Sequence, residues 1–207
     1  MSLTQTSGAF AGVHEDGFND FVSAFFQARP RYLHWGSPAF VSATTVTQTQ
    51  IPAIPPFGIE YRLFFQQPVI DLHPDTKGFA LPPGPGQFSL QTEVRLTVGC
   101  QNKPFDPKDD QRPILDPIST TLKVCARGQL VRVGNELALQ VDDVMVKDIR
   151  PETLGAVLSC ILKMILREML QDLRIPYRSI FIQIGTLVPV GGITVEDDTA
   201  KAFANII

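Results

Sequence analysis

Charge of one sign, paired thiols and unbroken apolar sequence are all scarce in this chain, and each absence removes a class of function. Its 207 residues carry 18 Lys and Arg against 21 Asp and Glu, a formal net charge of -3. The basic residues form no run and no stripe interleaved with aromatics, so the electrostatic footprint of a nucleic-acid binder is missing. Cys100, Cys125 and Cys160 are widely separated and form no Cys-x-x-Cys pair or zinc spacing, which predicts reduced thiols packed as small hydrophobes. The N-terminal MSLTQTSGAFAGVHEDG lacks a basic region followed by an apolar run of signal-peptide length. The longest apolar-rich stretch, 154–173, is interrupted by Lys163, Arg167, Glu168, Gln171 and Asp172. It falls short of the roughly 20 apolar residues that span a bilayer. No transmembrane segment and a cytoplasmic location are therefore expected.

Catalytic signatures are equally thin. There is no Gly-x-Ser-x-Gly and no thiol paired with a histidine motif. Gly84-Pro85-Gly86 is rigid and precedes a strand rather than a helix, unlike a phosphate-binding loop. Asp142-Asp143 and Asp197-Asp198 are isolated acidic pairs that match no EF-hand. The expectation is a protein that is not an enzyme and has no cofactor.

What the chain does have is periodicity. From Glu15 to Pro30, Phe18, Phe21, Val22, Phe25 and Phe26 recur at three- and four-residue spacing and predict a helix with a phenylalanine-rich face. The middle of the chain is β-prone. Segments 40–51 and 59–72 are rich in Thr, Val and aromatics, with Pro68 marking a break. In 87–99 Phe88, Leu90, Val94, Leu96 and Val98 share a face, while Ser89, Glu93, Arg95 and Thr97 occupy a wet one. A polar, proline-rich loop near 101–117 is expected to be mobile. Strands at 118–133 and 136–149 follow, turning at Gly134-Asn135, with a phase slip at Asp142-Asp143 that predicts a β-bulge.

Pro151-Glu152 then opens a second helix running to Arg174. Its apolar face includes Leu158, Ile161, Leu162, Ile165 and Met169, and Lys163, Arg167, Gln171 and Arg174 lie on the opposite stripe. Two last strands are expected, joined through Gly191-Gly192. Grouped strands and two helices give an α+β class: a single domain, 1–207, with a long, curved antiparallel β-sheet wrapped around or packed on two amphipathic helices.

Two short stretches raise site questions. In VIDLHPD, Asp71, His73 and Asp75 alternate and would share a face of an extended strand. They offer a metal or acid–base site, or local turn hydrogen bonds where a strand ends. RYLHWGSP, residues 31–38, holds the one tryptophan of the chain. It reads as a polar-aromatic binding rim or as a core cap followed by a turn.

A short N-terminal helix, long meandering strands, then PETLGAVLSCILKMILREMLQDLRIPY and a closing strand resemble the tubular lipid-binding (TULIP) superfamily. The resemblance covers most of the chain, rests on element order, and suits one module. It implies a curved sheet around a long helix with an apolar groove for lipid or another hydrophobic small molecule. Carried onto this sequence, the groove would be lined by Phe21, Phe25, Leu158, Ile161, Leu162, Ile165 and Met169, each of which also reads as ordinary core. The alternatives are a structural or assembly subunit associating through a sheet edge or helix face, with itself as a homo-oligomer or with another protein, and a metal-dependent hydrolase at Asp71, His73 and Asp75.

Overall fold

The computed structural model describes residues 9–41, 47–51, 59–72, 81, 86–101, 114–134, 136–147, 149, 152–176, 187–196 and 198–206. His73 and Asp75 lie outside them, as does the loop 101–117 between residues 102 and 113. The elements in chain order are β1 (Ala9–His14), α1 (Glu15–Ala28), a 3-10 turn (Pro30–Leu33), β2 (His34–Gly36), β3 (Thr49–Gln50), β4 (Ile59–Phe65), β5 (Val69–Asp71), β6 (Gln87–Gln101), β7 (Ile114–Val133) and β8 (Glu136–Val146). Then follow α2 (Glu152–Gln171), β9 (Arg174–Pro176), β10 (Leu187–Glu196) and β11 (Thr199–Ile206). The class is α+β, as the grouping of strands implied.

Strand pairing makes two sheets where one was expected. An eight-stranded sheet runs β3-β2-β4-β6-β7-β8-β9, with β5 also on β6, and a three-stranded sheet runs β1-β11-β10. Among the described residues the pairings of β1 with β11, β10 with β11, β2 with β4, β4 and β5 with β6, and β8 with β9 are antiparallel, and the two-residue pair of β2 with β3 is parallel. The chain divides into two compact units: residues 1–22, 69–91 and 125–207, and residues 23–68 and 92–124.

In the first unit, α1 opens with Glu15 and Asp16 in the turn where the helix dipole favours negative charge. Its Asn19 amide both donates to the Ile70 carbonyl (2.8 Å) and accepts from the Ile70 N–H (2.9 Å), fixing the helix to β5. α2 packs on β8. Leu162, Leu166, Met169, Leu170 and, just past the helix, Leu173 are fully buried. Along β8, Leu137, Leu139 and Val141 are buried and the phase then jumps to Val144, the slip expected at Asp142-Asp143. Leu137, Ala202, Ile175 and Ile193 gather β8, β9, β10 and β11 into one small apolar cluster.

The hairpin of β10 and β11 departs from expectation. Gly191 and Gly192 lie within β10, where the pairing register shifts between Val190 and Thr194. The chain reverses instead at Asp198, with φ of 60°. Glycine inside a strand marks a bulge as often as a turn, and aspartate tolerates the left-handed region because its short polar side chain bonds locally.

In the second unit, Trp35, Leu63, Phe65 and Val94 form the core with Phe26 and Tyr32. The Trp35 indole N–H donates to the Tyr32 carbonyl at 2.6 Å, so the ring is buried with its polar atom satisfied. Gly36 is required by close approach, since a Cβ there would meet Val41 Cγ2 at 2.1 Å. Ser37 closes the bend by exchanging bonds with the Tyr61 backbone. In the segment 40–51 only Thr49 and Gln50 are in strand among the described residues, because Ser37 instead draws Phe40 and Val41 into a turn.

Candidate functional site

Three places merit chemical scrutiny, beginning with α2. Near the phase slip in β8, two main-chain carbonyls take their donors from α2, one turn apart. Arg167 Nε donates to the Val141 carbonyl at 3.0 Å, and Lys163 Nζ donates to that of Asp142. These cations were expected on the stripe opposite the core. They reach β8 because a main-chain carbonyl shielded from water is costly to leave without a donor. Arg174 likewise turns back to the Gln171 carbonyl at 2.6 Å.

The outer surface of the first half of α2 is apolar. Val157 is 57 % exposed and Met164 61 % exposed, and Cys160 is exposed between them. Of the residues assigned to a groove, Leu162, Ile165 and Met169 are buried, while Leu158 and Ile161 are half-buried. Phe21 and Phe25 lie on α1, where the phenylalanine face divides. Phe18, Val22 and Phe26 are buried, Phe21 is 37 % exposed, and Phe25 is half-buried. Phe25 packs edge-on against Phe26, beside Tyr32, with the Arg29 guanidinium over its ring.

The second place is Asp71, buried at the end of β5. The first acidic residue of α1, Glu15, hydrogen-bonds Asp71 and accepts the Leu72 N–H at 2.8 Å. Burial first, then the charge and hydrogen bond of Asp71 and the charge of Asp198, raise the Glu15 carboxyl above its ordinary value, against the opposing Leu72 bond. Sequence spacing could not find this pair, because its members are 56 positions apart and meet only through β5 docking on α1. Among the described residues, no group of three or more His, Cys, Asp and Glu is arranged to hold a metal ion.

The third place is a cavity of about 270 Å³ in the second unit. His34, Trp35, Arg62, Phe64, Arg95 and Thr97 are among its walls. Pairing across β2, β4 and β6 aligns His34 with Phe64 and Phe64 with Arg95, and the next row sets Arg62 against Thr97. His34 and Phe64 meet edge-to-face at 4.6 Å. Burial, with the nearby Arg62 charge, lowers the His34 pKa, so the imidazole is neutral at pH 7. His34 and Trp35 come from the stretch singled out in the sequence. The two arginines do not, since each was one member of an alternating strand.

No protein-family model and no curated protein matches the chain. Among solved structures, the chain is similar to a crystal structure of lipopolysaccharide binding protein, at 13 % identity and a TM-score of 0.35. The match covers 99 % of this chain and 41 % of that one, so the chain spans well under half of its length. No helix among the described residues is long and apolar enough to cross a membrane.

Proposed function

We propose that the chain is a non-enzymatic binding module for a lipid or another hydrophobic ligand, taken up along the first half of α2. The observation that carries this is the exposed apolar stripe of Val157 and Met164 beside half-buried Leu158 and Ile161. A helix that packs only to complete a core turns its charged side chains to solvent. Here Lys163 and Arg167 instead bond β8, and large apolar groups are left facing out. Contiguous exposed apolar surface marks a place that something else covers. Methionine suits it, since its unbranched side chain adapts to chains of differing shape.

The same stripe supports a second reading, a structural subunit whose α2 surface meets another protein or a second copy. Native mass spectrometry of gently purified protein, followed by solvent extraction, separates the two. A co-purifying acyl-chain species that is lost in Met164→Lys, with Ile161→Trp as a second block, supports the binding module. A clean apo mass in a defined oligomer that Met164→Lys dissociates moves the function to assembly.

A further inference from the structure

We propose that the cavity formed by β2, β4 and β6 is a binding site for a small aromatic carboxylate, separate from the apolar surface of α2. Cation, aromatic wall and volume each point there independently. Arg62 and Arg95 stand at diagonal positions on neighbouring antiparallel strands, and no carboxylate among the described residues lies within ion-pair distance of either. Like charges placed that way repel, and an anion between them relieves the repulsion. Guanidinium groups present paired donors that match the two oxygens of a carboxylate.

The remainder of the wall selects a ring over a bare inorganic anion. His34 and Phe64 already make an edge-to-face pair, and Trp35 packs in the core directly behind them, next to His34 in β2. Arg62 shows that this surface accepts a cation on a ring face, its Cζ sitting 5.6 Å from the Phe40 centroid. Benzene fills a cavity of about 150 Å³, so about 270 Å³ admits one ring with its carboxylate. The Thr97 hydroxyl is engaged with Ser119 at 2.9 Å, which fixes that wall in place.

Trp35 is the chain's one tryptophan, so its fluorescence reports this cavity directly. The test is titration of the full chain with benzoate, read by that fluorescence and by calorimetry, with benzamide as the neutral ring of the same shape. Benzoate is expected to saturate, and benzamide to bind about tenfold more weakly or worse, as loss of charge-assisted bonds requires. Arg62→Gln with Arg95→Gln should weaken benzoate by a similar factor. The doubly lysine-substituted form, Arg62→Lys with Arg95→Lys, keeps the charge and should retain part of the affinity, which separates loss of binding from loss of fold. Met164→Lys should leave the benzoate titration unchanged, so failure of the α2 reading does not touch this one. Equal binding of benzamide, an unaffected glutamine double variant, or inorganic phosphate matching benzoate in affinity would each overturn the proposal.

Discussion

Arg167 and Val141 are joined by a 3.0 Å hydrogen bond from a guanidinium Nε on α2 to a main-chain carbonyl on β8. It ties the helix to the strand where the apolar phase of β8 slips. Arg167→Met removes the donor while keeping most of the aliphatic stem. It should cost about 1 kcal/mol, the net worth of such a bond at a partly exposed site. Urea unfolding should show a lowered midpoint with unchanged slope.

Gly128 in β7 and Gly134 in the turn that follows it make a matched pair for testing why glycine stands at each place. At Gly128 a Cβ would lie 2.1 Å from the Gln140 carbonyl oxygen and under 3 Å from the Phe88 ring. At Gly134 nothing lies within 4 Å, but φ is +62°. Gly128→Ala should destabilise by about 3 kcal/mol or more, since main chain has nowhere to move. Gly134→Ala should cost only about 1 kcal/mol, the left-handed penalty for one residue. Comparable losses in the two variants would contradict the steric account of Gly128.

Glu15 predicts a pH dependence with a definite sign. Its folded-state pKa is raised by burial and by Asp71, so the native state binds more protons there than the unfolded chain does. That contribution is fully present below the ordinary value of 4.5 and is lost as pH rises through the folded value. Glu15→Gln keeps an acceptor for the Leu72 N–H without the charge. It should flatten the fall in unfolding midpoint measured upward from pH 4.5.

His34 predicts the opposite slope. Its folded-state pKa lies below 6.5, chiefly through burial, so stability held above that value declines as pH falls toward the folded one. An NMR titration should find the His34 midpoint below the ordinary value of 6.5. Saturation with benzoate should shift it upward, because an anion beside Arg62 offsets that charge.

Leu162 and Met164 test α2 from its two sides. Leu162 is fully buried and Met164 is 61 % exposed. Leu162→Ala should cost about 2–5 kcal/mol. Met164→Lys should stay within about 0.5 kcal/mol of the parent protein, while abolishing uptake of an apolar ligand. A large thermal shift in Met164→Lys would mean that its side chain is core rather than binding surface.

Periodicity alone determined α1, α2 and the long strands, because a helix or strand with one covered face must repeat its apolar residues at its own pitch. The break at Pro68 and the slip at Asp142-Asp143 were legible for the same reason. What only tertiary structure decided was the outcome of contacts between distant segments. Periodicity could not say that Gly191 and Gly192 would bulge within β10 while Asp198 turned, that β1 would join β11 in a second sheet, or that Lys163 and Arg167 would turn toward β8 and leave Val157 and Met164 outside. Nor could it bring Glu15 to Asp71, or set Arg62 and Arg95 diagonally across β4 and β6 beside His34 and Phe64. Local pattern states which face of an element is apolar; only the packed chain determines which part of that face is covered and which charges it keeps.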